Sequence, residues 1–321
     1  MPKHIFPSTL TEKTPIGIYR CPPNQLLPQF EDRYSKHTIN RRLKRKSWIF
    51  CSSYSEDYYI GMALVDVGYL AKAFCYVYDC QTGDVWEDSQ LKPIGFSTSF
   101  SANPNDEWKL KPYELQLQND TITLQFDGSA FKIHWNIKLD PSGLLFFCPS
   151  QGKNRPFHST FKNLGLSQQI NISTSNKNIH IDSPVACIDY SYGYPPRKTV
   201  WNWLSITGTD EKNRQIALNL VDHFNNNLEN YIWIDHQPYP VGDVRFIYDK
   251  RNKNKPWRIE SKTVELTFLV EWQRDENLNI GILKSSFIQV MGRVQGTVRI
   301  ENMEPFYLKA NGVCEDHHAL W

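Results

Sequence analysis

The stretch AFKIHWNIKLD, residues 130–140, alternates apolar and polar residues almost from end to end. In an extended chain, successive side chains point to opposite faces, so residues two positions apart share a face. The apolar residues that would share one face are Phe131, Ile133, Trp135, Ile137 and Leu139. The opposite face would carry lysine, histidine and asparagine. A period of two over this length predicts a half-buried β-strand.

The same period recurs along the rest of the chain. TVELTFLVEW at 263–272 repeats the alternation, and turn-forming pairs such as ND at 119–120 and DPSG at 140–143 separate neighbouring runs. Further strands are predicted over 57–66, 70–79, 200–207, 214–222, 243–248 and 278–301. One short helix is predicted over 31–42. Many short strands favour a sandwich or barrel, and closure of a barrel removes exposed sheet edges.

The length of 321 residues fits two domains or one large β domain. The most polar interval, residues 165–184, falls near the middle and is the predicted boundary region. We therefore expect an all-β protein with an N-terminal arm over 1–42, a first barrel over 43–170 and a second over 171–321.

Composition narrows the classes of function. A net charge of +2 argues against a nucleic-acid partner, because phosphate recognition needs an excess of lysine and arginine. No apolar run is long enough for a signal peptide or membrane helix, so we expect a cytoplasmic protein without an integral membrane segment. The seven cysteines lack C-x-x-C spacing, which predicts reduced thiols and no metal site. The sequence contains no P-loop or glycine-rich dinucleotide turn, so we expect no cofactor. The 10 Trp, 16 Tyr and 17 Phe are an unusually heavy aromatic load.

Six segments together resemble a known family. The matching segments, in chain order, are LKRKSW at 43–48, YYIGMALVDVGYLAKAFCYVYD at 58–79, DYSYGYPPRKTVWNW at 189–203, ALNLVDHFNNNLENYIWID at 217–235, FIYDKRNKNKPWRI at 246–259 and NGVCEDHHALW at 311–321. They resemble the family known as domain of unknown function 2804. More distantly, the chain resembles two-barrel lipocalin-like proteins such as carotenoid hydratases and tocopherol cyclases. This resemblance implies two tandem lipocalin-like antiparallel barrels, with an apolar ligand in one barrel or between them.

The first candidate cluster lies in the aromatic stretch at 189–208. If residues 199–207 are extended, Trp201 and Trp203 share a face with hydroxyl residues and could wall a pocket. Arg197 would then grip an anionic or carbonyl group at the pocket mouth. In the alternative, the two indoles fill a barrel and Arg197 pairs with a structural acid such as Asp189.

A second cluster spans a predicted hairpin. It consists of the polar and aromatic residues Asn219, Asp222, His223, Glu229, Asn230, Trp233 and Asp235. Carboxylates and an imidazole this close could support proton transfer, with Asp235 accompanying Trp233 into a pocket. In the alternative, these turn acids are solvated.

The third cluster is the C-terminal CEDHHALW. Alternation places Glu315 and His317 on one face, where a carboxylate can set the tautomer and basicity of an imidazole. This pair is the best acid/base candidate, and its spacing is poor for a metal. The alternative is a strand-end hydrogen-bond network with Trp321 as a plug. The basic run RRLKRK at 41–46 could contact phosphate or anionic lipid, or could be a solvated or acid-paired surface run.

Together these patterns predict a protein that binds a hydrophobic, isoprenoid-like or lipid-like small molecule. An acid/base hydration, isomerisation or cyclisation is the enzymatic version of this hypothesis. The predicted catalytic residues are Glu315, His317 and Asp235. The predicted ligand-binding residues are Arg197, Trp201, Trp203, Asn219, Glu229 and Trp233. The alternatives are a non-catalytic carrier and a glycan-binding β protein, which would expose its aromatic faces for stacking on sugars.

Overall fold

The structure, a computed structural model, describes residues 4–5, 9–10, 14–20, 29–30, 43–93, 98–99, 108–150, 157–281 and 283–321. The chain divides into two compact units. The first contains Pro2–Ser53 and Asp57–Pro195, and the second contains Tyr54–Glu56 and Pro196–Trp321. The predicted helix over 31–42, Cys21 and the arginines at 41 and 42 lie outside the described residues. No described helix is long and apolar enough to cross a membrane.

The strands of the first unit are β1 His4–Ile5, β2 Thr9–Leu10, β3 Gly17–Arg20, β4 Gln29–Phe30, β5 Lys46–Tyr54, β6 Tyr58–Asp66, β7 Leu70–Asp79, β8 Val85–Pro93, β9 Thr98–Ser99, β10 Trp108–Leu110, β11 Tyr113–Gln118, β12 Thr121–Asp127, β13 Phe131–Lys138, β14 Leu144–Cys148, β15 His158–Thr174 and β16 Asn178–Gly193. Most of them form one sheet in the order β8-β7-β6-β5-β16-β15-β13-β12-β11-β10-β9, with β14 pairing with β15 and β3. This sheet is a nearly closed barrel.

Strand β13 has the predicted half-buried environment. Along β13, buried residues alternate with exposed or half-buried ones over its whole length. Trp135 lies in the barrel core, where its indole Nε1 donates a hydrogen bond to Gln168 Oε1 over 3.0 Å. A buried indole N–H needs such a partner, because an unpaired buried donor is costly.

The division between the units falls at Pro195 and Pro196, later than the predicted boundary at 170/171. The polar interval at 165–184 lies in the hairpin of β15 and β16, which pair from His158↔Gly193 to Ser173↔Asn178. Its polarity reflects the alternating exposed positions at the end of β15 rather than a linker. The predicted arm contributes β3, which pairs with β14 and so joins the first sheet.

The basic run contributes buried residues to the first unit. Arg45 forms a buried ion pair with Asp66. The Lys46 ammonium donates to the backbone carbonyls of Leu43 at 2.7 Å and Val67 at 2.8 Å. Arg45 is therefore acid-paired, as the alternative to phosphate or lipid contact has it, but Arg45 and Lys46 are buried rather than solvated at the surface.

The strands of the second unit are β17 Lys198–Asp210, β18 Gln215–Asp222, β19 Tyr231–Ile234, β20 Gln237–Pro240, β21 Arg245–Ile247, β22 Trp257–Glu260, β23 Val264–Ile280, β24 Leu283–Val298 and β25 Phe306–Leu320, with a 3-10 turn at Asn225–Asn227. They form one antiparallel sheet in the order β20-β19-β18-β17-β25-β24-β23-β22-β21. This sheet is a half-barrel. The predicted single strand over 278–301 is instead divided by a turn at Gly281, whose φ of 63° suits glycine. The all-β prediction is confirmed.

Candidate functional site

The centre of the second sheet brings two candidate clusters together on one face. The register pairs Trp201 with His317 and Trp203 with Glu315 across β17 and β25. Directly opposed residues of an antiparallel pair project from the same face, so these four side chains form one surface. The core of the unit lies on the opposite face, with Leu204, Ile206 and Cys314 among its buried residues. Trp201 and Trp203 therefore lie on the face opposite this apolar core.

Glu315 is a buried carboxylate held by neutral N–H donors. The indole Nε1 of Trp201 donates to Oε2 over 3.0 Å, and the amide of Gln289 donates to Oε1 over 2.7 Å. Gln289 is brought there by the register of β24 against β25. These donors set the orientation of the carboxyl group, so that its position in the sheet is well defined.

His317 lies beside Glu315 in an aromatic surround. Its Nε2 is 2.8 Å from Ser285 Oγ. The ring centroid of Trp201 is 4.1 Å away in an edge-on arrangement, and that of Phe287 is 5.1 Å away. The ring centroid of Trp321 lies 6.2 Å from that of His317. Trp201 therefore contacts both the carboxylate and the imidazole.

The rim of this surface is more open than its floor. Glu315 and His317 are 7% and 8% exposed, whereas Trp201, Phe287 and Trp321 are half-buried. Phe224, also half-buried, packs on Trp201 at 5.5 Å between centroids. Ionisable groups beneath a partly exposed aromatic rim are an arrangement suited to a ligand with an apolar body and one reactive or polar point.

A buried hydrogen-bond chain extends this face towards β18. Trp203 Nε1 donates to Asn219 Oδ1 over 2.8 Å, and the Asn219 amide donates to the Glu229 carbonyl over 2.9 Å. The Glu229 carboxylate accepts a hydrogen bond from Asn225. Trp233, 1% exposed, stands on β19 beside this chain. These residues fix the hairpin and its short turn.

Other predicted residues lie apart from Glu315 and His317. Asp235 is exposed in the turn after β19, where φ is 45° and its carboxylate accepts the Gln215 N–H at 2.9 Å. Arg197 is exposed, and its guanidinium donates a hydrogen bond to the Trp321 carbonyl over 2.8 Å.

Asp189, the acid named as an alternative partner of Arg197, forms an ion pair with Lys162. His223 Nε2 lies 3.5 Å from the Asp222 carboxylate, and this pair is partly exposed. The side-chain oxygen of Asn230 accepts a hydrogen bond from the Val221 N–H.

The core side of β25 carries a cluster that sequence reasoning missed. Lys253, from the loop before β22, forms an ion pair with Asp316 and lies 4.3 Å from the ring centroid of Tyr248. Burial would raise the pKa of the Asp316 carboxyl, but the hydrogen bond and charge of Lys253, together with Tyr248 and His318, hold that pKa below its usual value. Asn202 links Tyr248, at 3.0 Å, to the Glu315 carbonyl, at 3.2 Å. This cluster braces the strand that carries Glu315 and His317.

Sequence reasoning also missed Gln289, Ser285 and Phe287. They lie two residues apart on β24, so their shared face was readable from the alternation. Their partners on β25 depend on the hairpin register, which the sequence does not state. Among the described residues, no cluster of three or more histidine, cysteine, aspartate or glutamate side chains is arranged to hold a metal ion.

Comparison with solved structures defines the class of fold. The chain superposes on a candidate AttH protein from Nitrosomonas europaea with a TM-score of 0.54 at 13% identity, covering 88% of this chain and 96% of that one. It superposes on kievitone hydratase from Nectria haematococca with a TM-score of 0.57 at 12% identity, covering 84% and 88%. At these identities the likeness concerns the fold. The class is a two-barrel lipocalin-like β protein, which confirms the predicted architecture.

The family follows from the sequence itself. The family model described as domain of unknown function (DUF2804) matches residues 24–321, and the chain belongs to that family. No curated protein matches the chain.

Proposed function

We propose that the face around Trp201 binds an apolar, isoprenoid-like or lipid-like small molecule, and that Glu315 and His317 catalyse an acid/base step on it. The observation that carries this proposal is the position of Trp201. Its N–H holds the Glu315 carboxylate while its ring lies against the His317 imidazole. One indole thus keeps a carboxylate and an imidazole side by side beneath a half-buried rim.

The chemistry of these groups suits addition of water to a double bond, isomerisation or cyclisation. In its acid form, Glu315 can give a proton to an alkene carbon. In a hydration, water then adds to the resulting cation, and the neighbouring imidazole accepts the proton that the water loses. The π faces of Trp201 and Phe287 would stabilise positive charge on the substrate carbon. Kievitone hydratase, a hydratase by name, supports this class of reaction through fold analogy alone.

Three predicted ligand contacts have supporting roles in this proposal. Trp203 and Asn219 extend the surface beside Glu315, and Arg197 stands at its exposed end, where it would orient a polar group of the ligand. The burial of Trp203 and Trp233, 5% and 1% exposed, disfavours the glycan-binding alternative, because stacking on sugars needs accessible rings.

We place this activity in the cytoplasm. The described cysteines are free thiols, which is typical of a reducing compartment.

The first test is native mass spectrometry of protein purified from its own host, followed by organic extraction of anything bound. We expect a stoichiometric apolar molecule, which is then offered to wild type, Glu315→Gln and His317→Ala. Both variants should keep binding and lose turnover, whereas Glu265→Gln, which alters an exposed carboxylate on β23, should behave as wild type.

Two outcomes contradict parts of the proposal. If wild type binds the molecule without turning it over, the protein is a carrier and the catalytic roles fall. If wild type carries no apolar molecule and binds none from a host lipid extract, the binding proposal itself fails.

A further inference from the structure

The first unit contains a pair of buried hydroxyls that neighbouring residues do not satisfy. Thr160 on β15 and Ser191 on β16 are directly opposed in the sheet, and both are 1% exposed. Neither hydroxyl makes a hydrogen bond to any residue that the structure describes. Buried hydroxyls without partners are rare and destabilising, so each of them calls for a hydrogen-bonding group.

Ionisable groups lie on the same face, two positions away on each side. On one side, Lys162 and Asp189 are opposed and form an ion pair of 2.6 Å. On the other side lies His158, fully buried, whose pKa falls to about 3 because of burial and the nearby charge of Lys162. The imidazole is therefore neutral at pH 7. The hydroxyl pair thus sits between a neutral imidazole and a neutralised ion pair.

One flank of this surface is an aromatic side chain that reaches solvent. Trp48 on β5 is opposed to Ser191, and its ring centroid lies 5.6 Å from that of His158. Trp48 is half-buried, whereas Thr160, Ser191 and His158 are buried. This face is distinct from the barrel core, which contains the intervening residues Phe161 and Tyr190.

These features together select a class of ligand. The ion pair and the neutral imidazole carry no net charge, and the Lys46 ammonium on the same face is engaged by the Leu43 and Val67 carbonyls. A charged ligand would therefore lose its hydration without compensation. A hydroxyl or carbonyl oxygen would satisfy Thr160 and Ser191, since a hydroxyl side chain can both donate and accept. An indole face at the open flank suits a flat or cyclic molecule.

We propose that the surface formed by Thr160, Ser191, His158 and Trp48 is a second binding site, for a neutral cyclic molecule that bears a hydroxyl or carbonyl oxygen. The ligand oxygen bonds to the two hydroxyls, and its ring packs on Trp48. The site is built entirely from β5, β15 and β16, so it does not depend on the function proposed for Glu315 and His317.

The test uses 4-fluorophenol as the probe, with its binding to the full-length protein followed by fluorine NMR. Wild type should bind it saturably, and Thr160→Val and Ser191→Ala should each raise the Kd about fivefold or more, the effect of one lost hydrogen bond. Thr207→Val is the matched control, because Thr207 in the second unit is also a buried threonine whose hydroxyl has no partner among the described residues. It should bind the probe as wild type does.

Thermal unfolding separates a binding role from a structural one. Without probe, Thr160→Val should unfold no earlier than wild type, because the substitution removes an unsatisfied hydroxyl. With probe present, wild type should gain more stability than Thr160→Val, because the variant binds the probe more weakly. Crystals of wild type soaked in 4-iodophenol should show iodine beside Trp48, a result that needs no variant.

The proposal is overturned if wild type does not bind the probe, or if wild type and Thr160→Val bind it equally. It is also overturned if the soaked crystals show only an ordered water bridging Thr160 and Ser191. That water would make the two hydroxyls part of the fold rather than of a site.

Discussion

The two sheets carry the same kinds of ionisable group in different settings. On the first sheet, the Asp189 carboxylate is neutralised by the Lys162 ammonium, and His158 is fully buried. On the second sheet, the Glu315 carboxylate accepts hydrogen bonds from the uncharged groups of Trp201 and Gln289, beneath a half-buried rim. An ion pair cancels the charge of its carboxylate, whereas uncharged N–H donors orient a carboxylate without cancelling its charge. The first setting suits recognition of a neutral molecule, and the second suits proton transfer.

The largest expected effect is on the ion pair of the first sheet. Lys162→Met should lower the free energy of unfolding by about 3–5 kcal/mol, because it leaves a largely buried carboxylate without its cation. Lys132→Met is the control, since Lys132 pairs with Asp127 at the surface, where a pair contributes less than about 1 kcal/mol. Urea unfolding measures both. Equal effects would mean that the Lys162–Asp189 pair contributes no more to stability than a surface pair.

The second expected effect is a pH dependence of the first unit. The pKa of His158 is about 3 in the folded protein, against an ordinary value of 6.5. Between these two pH values the unfolded chain therefore binds more protons than the folded protein. The contribution of His158 to the free energy of unfolding is fully present above about pH 6.5 and is lost as the pH falls towards 3. Between pH 7 and 5 the loss should be about 2 kcal/mol.

Unfolding by urea at several pH values checks this dependence. His158→Gln should remove the part of the slope of unfolding free energy against pH that His158 contributes. The part that the carboxylates contribute should remain. An identical slope in this variant would mean that His158 is not kept neutral by the fold.

A smaller effect is expected on the second sheet. Trp201→Phe removes the indole donor to Glu315 and should cost about 1.5 kcal/mol of unfolding free energy, the lower end for bonds to charged groups. Trp321→Phe removes a donor to the neutral Thr199 hydroxyl and should cost about 1 kcal/mol or less. A larger loss for Trp321→Phe would indicate that the Glu315 carboxyl is protonated, and thus neutral, in the resting protein.

The smallest effect on stability is expected at the rim. Arg197 is exposed and donates to the Trp321 carbonyl, so Arg197→Ala should change the free energy of unfolding by less than about 0.5 kcal/mol. Titration calorimetry with the extracted ligand should nevertheless show affinity lowered about fivefold, the equivalent of one hydrogen bond. Unchanged affinity would remove Arg197 from the binding surface.

Much of the second-sheet site was readable from local alternation. Trp201 with Trp203, and Glu315 with His317, were each placed on one face by a period of two. Asp235 was misleading for a local reason. Alternation assigned it to the face of Trp233, but the strand ends at Ile234 and Asp235 begins a turn with positive φ.

What the sequence by itself determined is the periodicity: an all-β chain, most of its strands and the pairs of residues that share a face on each strand. Only the tertiary structure decided which strands lie side by side. Register joined Trp201 to Glu315 over a long sequence separation, opposed Thr160 to Ser191, and brought Lys253 to Asp316. The physical reason is that alternation is a property of each extended strand, whereas pairing depends on how the whole chain buries its apolar faces.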